Sequence, residues 1–204
     1  MNVLERFESV FRRDPTPLSL VDASVAAAGS KGVLGDQYAG TSFGGGMYRI
    51  ASDALAIDLD AIIGRMWPSF LGTIRSFAFD WRGRIFAARK GTRGYGDIVL
   101  FEPGSGDNYE IPLGVTEFHN QELVDYTEEA LSESLFRDWV AAHGSGPTFS
   151  RCIGYRVPLF LDGQEGIANL EECELEVYLE ICAQLWVKTK KLPEGSRIGS
   201  VKIK

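Results

Sequence analysis

The sequence is short of the residues from which catalytic and metal sites are made. In 204 residues it has two histidines, His119 and His143, and three cysteines, Cys152, Cys173 and Cys182. His119 lies in EFHNQE, which is neither HExxH nor an H-x-E…CxxC zinc pattern, and no two cysteines stand at CxxC spacing. A GxxxxGK[ST] phosphate loop is missing, and so is a G-x-S-x-G nucleophile elbow. No run approaches the roughly 18 apolar residues of a membrane helix. The opening MNVLERFESVFRRD is charged throughout and has no apolar core with a small-residue cleavage site, so it is not expected to be a secretion signal. An odd number of cysteines without metal spacing reads as free thiols in a reducing compartment. Cys152 with His119 or His143 could make a dyad, but nothing local supports one. Two carboxylates can always be found among 28 acids, so a carboxylate pair discriminates nothing. No catalytic residue, metal site or cofactor is expected.

Basic charge is the other shortage, and it is local. Residues 1–93 hold 12 Lys and Arg against 9 Asp and Glu, residues 94–182 hold 3 against 18, and residues 183–204 hold 6 against 1. The net charge of −7 therefore conceals a middle section of −15. From Asp162 to Glu180 there are seven acids and no base. Such a section repels phosphate backbones, which disfavours direct nucleic-acid binding, and it can speed encounter with a basic protein. A solvated acidic face is the plainer reading.

What is present suits a globular α+β protein. At 45% apolar and 24% charged residues, the chain can bury a sizeable core. Residues 1–12 place Val3, Leu4, Phe7, Val10 and Phe11 on one side of a short helix, ended by Asp14-Pro15-Thr16-Pro17. A second helix is expected over 18–29. Gly44-Gly45-Gly46 before Met47-Tyr48-Arg49-Ile50 reads as a tight turn into a strand, with glycine permitting positive φ. Leu55, Leu59, Ile62, Ile63 and Met66 recur at helical spacing over 53–67. Strands follow at 74–80, 84–88, 97–101 and from 109, with turns at Trp81-Arg82-Gly83 and Pro103-Gly104-Ser105-Gly106-Asp107. Such short spacing predicts an antiparallel meander.

Thr127 is expected to cap a helix over 128–143 lined by Leu131, Leu135, Trp139 and Val140, with His143 in a structural role at its end. Gly144-Ser145-Gly146-Pro147 reads as a linker. Beyond it a smaller strand–helix–strand unit is predicted to pack on the meander: a strand over 156–161, a helix over about 170–189 and a strand near 197–203. Asn169 and Glu172 have capping-box spacing. Glu171, Glu172, Glu174 and Glu176 at the helix start, with Lys188, Lys190 and Lys191 at its end, would complement the macrodipole.

Two stretches carry a resemblance. Residues 33–101, VLGDQYAGTSFGGGMYRIASDALAIDLDAIIGRM…SFAFDWRGRIFAAR…GYGDIVLF, resemble the GAD-like domain, in which a Gly-rich turn leads into a strand, a short helix and a small meander. Residues 153–198 resemble the C-terminal domain of type VI secretion DNase immunity proteins. The matching features are a Gly-Tyr-basic start, Pro158-Leu159-Phe160-Leu161, Asn169-Leu170-Glu171, Glu176-Val177-Tyr178, Gln184-Leu185 and Leu192-Pro193-Glu194-Gly195. The chain departs from the pattern at Ala51-Ser52-Asp53, where an Asn-Pro-like turn is usual, and at Asp162, where a second glycine is usual.

The resemblance implies two domains, 1–143 and 148–204, and a cytoplasmic immunity protein. Its partner would be a cognate DNase effector, with neither nucleic acid nor membrane bound directly. Glu117, Glu122, Asp125, Glu128 and Glu129 form one candidate partner-binding patch. Asp162, Glu165, Glu171 and Glu172 form the other. Exposed ion pairs contribute only about 0–1 kcal/mol each, so tight inhibition also needs apolar or aromatic anchors. Tyr95, Tyr109, Phe118 and Tyr126 are the candidates, with a place in the core as their alternative. A regulatory module with another partner, or a hydrolase using His119 or His143, are the competing functions.

Overall fold

The computed structural model describes residues 4–15, 33–35, 37–92, 94–193 and 195–196. The helix expected over 18–29 and the strand expected near 197–203 lie outside the described residues. At the centre is a six-stranded antiparallel sheet whose consecutive strands are neighbours. The strands are β1 (Ser42–Phe43), β2 (Tyr48–Ile50), β3 (Ile74–Asp80), β4 (Ile85–Gly91), β5 (Gly94–Glu102) and β6 (Asp107–Ile111). The fold is α+β, with the meander that the turn spacing predicts. Strands β3 to β5 read as near-continuous apolar runs because both faces of the sheet are covered. Phe86, Ala88, Ile98 and Leu100 enter one core, while Ile85, Ala87, Val99 and Phe101 enter the other.

The first face is covered by α1 (Glu5–Val10) and by the chain from 115 to 143. That chain runs through α3 (Val115–Glu117), a π-helical turn over Phe118–Glu122, α4 (Leu123–Asp125), α5 (Thr127–Leu131) and α6 (Glu133–His143). Leu4, Phe7 and Phe11 are buried there with Phe118, Leu131, Phe136 and Trp139, whereas Val10 is exposed. The second face is covered by α2 (Asp53–Met66) and α7 (Leu175–Thr189), which lie against each other. Ser52 caps α2 by accepting from the Leu55 N–H, and Leu59, Ile63 and Met66 face the sheet. Leu175, Leu179 and Cys182 close the same core from α7.

Three expected elements are redrawn. The helix expected over 128–143 is two helices, because Ser132 takes a left-handed φ of 55° between α5 and α6. Thr127 does not cap it; the Thr127 hydroxyl donates instead to the Leu123 carbonyl at 2.7 Å. The strand expected over 156–161 lies earlier, as β7 (Arg151–Tyr155), and Leu159–Leu161 form a 3-10 turn entered from Pro158. Residues 170–174 are not helical. They form β8 (Leu170–Glu174), paired antiparallel with β7, and the helix begins at Leu175. Asn169 consequently holds the β7–β8 connection rather than a helix end. Its amide accepts from the Val157 N–H at 3.0 Å and donates to the carbonyls of Val157 and Gln164 at 2.8 and 2.9 Å.

The C-terminal segments are fixed to the meander through buried polar bonds. The Ile153 N–H donates to the Trp81 carbonyl at 2.7 Å, and the Leu159 N–H to the Gly104 carbonyl at 2.8 Å. Arg49, fully buried on β2, donates one amino group to the carbonyls of Thr148 and Arg151 and the other to the Asp80 carbonyl at 2.5 Å. Burial lowers its guanidinium to about 10, still charged at neutral pH. Residues 144–147 make a tight connector. A Cβ on Gly46 would come 2.2 Å from the Pro147 carbonyl oxygen, and one on Gly146 would come 2.1 Å from that of Gly45.

Candidate partner-binding surface

The first acidic patch lies along the ridge from α3 to α5. Several of its carboxylates already hold the chain together. Glu117 accepts from the Gly114 N–H at 2.9 Å, closing the start of α3. Asp125 takes both amino groups of Arg6 at 2.7 and 2.5 Å, which ties α1 to α4. That hydrogen bonding holds the Asp125 carboxyl below its ordinary range. Glu128 accepts from the Ser134 N–H and hydroxyl, both at 2.8 Å, and bridges the break at Ser132; the backbone bond lowers its pKa.

Glu122 and Glu129 differ from these: neither has an ion-pair partner among the described residues. Between them stands Tyr126, 54% exposed. The Tyr126 N–H bonds the Glu122 carbonyl and the Ala130 N–H bonds the Tyr126 carbonyl, both at 2.9 Å, but Tyr126 itself leaves helical geometry, at φ −129° and ψ 44°, where α4 ends and α5 begins. Glu122 precedes that break and Glu129 follows it, with Tyr126 at the junction of the two helices. The patch thus reduces to an exposed aromatic at a helix junction, with one free carboxylate before it and one after it in the chain.

The second patch is divided by its own cations. Glu171 and Glu172 lie on β8 and not at a helix start, and only Glu176 of the expected cluster occupies the first turn of α7. Arg151 bonds Glu172 at 2.9 Å and Glu174 at 2.5 Å, and Arg156 stands 3.5 Å from Glu171. Asp162, at a left-handed φ of 63°, and Glu165 are exposed and without an ion-pair partner among the described residues. The macrodipole therefore does not account for the acids of 162–174; cross-strand arginines neutralise three of them.

Of the aromatic candidates, Phe118 is core, fully buried against Phe86, while Tyr95, Tyr109 and Tyr126 are 44%, 51% and 54% exposed. Tyr109 lies on β6, an edge strand whose Asp107, Asn108 and Glu110 are also exposed. The exposure of Asp107 and Glu110 is legible in the sequence, since DNYEI contains a single aliphatic residue and so cannot be a strand covered on both faces.

Both histidines make structural contacts, His119 in the core and His143 at the surface. His119 is fully buried, its Nδ1 2.7 Å from the Val115 carbonyl and its Nε2 2.9 Å from the Tyr48 hydroxyl. Burial pushes its pKa down to about 4. His143 stacks on Trp139 at 3.6 Å and bonds the Trp139 carbonyl at the C-terminal end of α6. The Cys152 sulfur lies against Cys173. Among the described residues no group of three His, Cys, Asp or Glu could hold a metal ion, and no helix is long and apolar enough to cross a membrane.

No family model matches the chain and no curated protein does, so the resemblance of residues 33–101 and 153–198 rests on those residues alone. Among solved structures, the chain is similar to the crystal structure of Atu4351 from Agrobacterium tumefaciens. The TM-score is 0.58 at 14% identity, over 88% of each chain, a likeness of fold.

Proposed function

We propose that the chain is a cytoplasmic immunity protein that binds a cognate type VI secretion DNase effector and occludes its basic, DNA-receiving surface. On this reading it has two modules, 1–143 and 148–204, uses no cofactor and performs no reaction. The observation that carries it is the exposed Tyr126 at the junction of α4 and α5, in one stretch with the free carboxylates of Glu122 and Glu129. An aromatic that loses its water on contact supplies affinity, and flanking acids meet the lysines and arginines by which a nuclease holds phosphate. The −15 charge of residues 94–182 supports the same reading, because complementary fields accelerate encounter by about 10- to 1000-fold. Asp107 and Tyr109 on β6, where Glu110 is paired with Arg89, and Asp162 and Glu165 beside β8, extend the acidic surface.

Co-expression with the neighbouring toxin gene tests the proposal. Cells should survive with this protein and die without it; equal killing in both would refute it. Pull-down at low and high salt separates the alternative of a regulatory module. Capture of a basic nuclease, weakened by salt, fits an immunity protein, whereas salt-insensitive capture of a neutral partner fits the other.

A further inference from the structure

Cys152, Cys173 and Cys182 are separated in sequence yet gather in one place. Cys152 on β7 and Cys173 on β8 are directly opposed, their sulfurs 3.8 Å apart. Along this ladder the Leu175 N–H bonds the Ser150 carbonyl and the Arg156 N–H bonds the Asn169 carbonyl. Alternation from either end makes Cys152–Cys173 a hydrogen-bonded pair, for which the Cα separation is about 5.5 Å. A disulfide spans about 4.4–6.8 Å between Cα atoms, so closing the bond requires the two Cβ atoms to draw together but no change of strand register.

The two thiols are also unequal. Cys152 is fully buried, and its hydrogen bond with Cys173 and its burial both raise its pKa well above the ordinary value. Cys173 is half-buried, and its hydrogen bond with Cys152 lowers its pKa, with help from the Gly154 N–H and the Arg151 charge against Glu171. A half-buried thiol of lowered pKa next to a second thiol that can resolve it is the arrangement of peroxide-sensitive sites. Cys182, buried on α7 and pushed to about 12 by burial, remains a thiol.

We propose that Cys152 and Cys173 form a reversible thiol-oxidation site at which a hydroperoxide converts the pair to a disulfide that locks β7 to β8. The Cys173 thiolate attacks one peroxide oxygen, the O–O bond breaks and hydroxide leaves, giving a sulfenic acid. Cys152 gives up its proton and attacks the Cys173 sulfur; the S–S bond forms, the S–O bond breaks and the departing hydroxide takes the proton as water. With hydrogen peroxide, two thiols and one peroxide become one disulfide and two waters. The sulfurs are oxidised and the peroxide oxygens reduced, and a small dithiol reverses the change. The site is independent of the partner-binding reading.

The test is to oxidise the reduced full-length chain with hydrogen peroxide, quench in acid, alkylate after denaturation and map the peptides. Free thiols should fall from three to one, with Cys152 joined to Cys173 within one chain, and dithiothreitol should restore all three. The oxidised protein should melt at a higher temperature than the reduced one, a difference lost in Cys173→Ser and kept in Cys182→Ala. Three remaining thiols, a link to Cys182, cross-linking only between chains, or sulfinic acid on Cys173 without a cross-link would each overturn the proposal. The thiol count uses the unaltered chain and so does not depend on any variant folding.

Discussion

His119 is enclosed by the rings of Phe7, Tyr48, Phe77 and Phe118, with the Val115 carbonyl at Nδ1. A carbonyl only accepts, so Nδ1 carries the proton and Nε2 accepts from the Tyr48 hydroxyl. The imidazole is therefore neutral, and charging it would both desolvate a cation and turn the tyrosine bond around. Its pKa of about 4 in the fold lies below the ordinary 6.5. Between those values the unfolded chain binds the proton that the folded chain does not, so stability is fully present above pH 6.5 and is lost as pH falls towards about 4. The loss from this group amounts to about 3 kcal/mol. Denaturant melts from pH 7 to pH 4 should show it, and His119→Gln should flatten the slope in that window; an unchanged slope would place the imidazole elsewhere.

Gly46 makes a second residue-scale case. Its φ of 88° and the 2.2 Å approach to the Pro147 carbonyl leave no room for a methyl group. Gly46→Ala should cost about 2–4 kcal/mol by thermal denaturation, more than strain at φ alone would give. The sequence indicates a turn here, because three consecutive glycines before an apolar run have few other readings. Nothing in it announces Pro147, more than a hundred positions away, as the reason one of those glycines cannot change. Buried Arg49 was hidden for the same cause: its partners are carbonyls of a segment distant in the chain.

Among the elements, those whose partners are close in sequence were legible and those with distant partners were not. The runs around β3, β4 and β5 pair through short connections, and their apolar content announces them. Residues 170–174 read as a helix start because LEECE lacks strand formers; pairing with β7 overrides that local preference. The apolar run 157–161 imitated a buried strand, an ambiguity inherent in short runs. Pro158 removes a donor there, and Gly163 packs so closely that a Cβ would come 1.9 Å from the Val157 carbonyl oxygen.

Arg49 connects these levels, since one side chain satisfies carbonyls on both sides of the seam between the meander and β7. Arg49→Met should leave those carbonyls unpaired and cost roughly 3 kcal/mol or more. Arg49→Lys should not rescue it, because a single ammonium cannot point both ways. Hydrogen exchange should quicken first across 148–155 while β4 and β5 stay protected. Uniform loss of protection would mean that Arg49 supports the whole fold and not the seam.

For the whole molecule, the proposed function gives charge and shape separable contributions to partner binding. The field of the acidic section acts over distances near the Debye length, about 8 Å in physiological salt, and so governs encounter. The Tyr126 ring acts only at contact and so governs release. Glu122→Gln with Glu129→Gln should therefore slow association with the neighbouring toxin gene's product severalfold at low salt, with little change in dissociation. The effect should shrink as salt rises. Tyr126→Ala should leave the association rate nearly unchanged and speed dissociation by about 30-fold, as expected for a hot-spot aromatic worth about 2 kcal/mol. Surface plasmon resonance at two salt concentrations resolves both rates. Asp125→Asn is the control that distinguishes surface from scaffold: it breaks the Arg6 clamp, so it should lower the melting temperature more than it slows association. If the Tyr126 and Glu122/Glu129 variants bind as the unaltered chain does, this ridge is not the contact, and the exposed β6 edge with Asp107, Tyr109 and Glu110 becomes the surface to alter next.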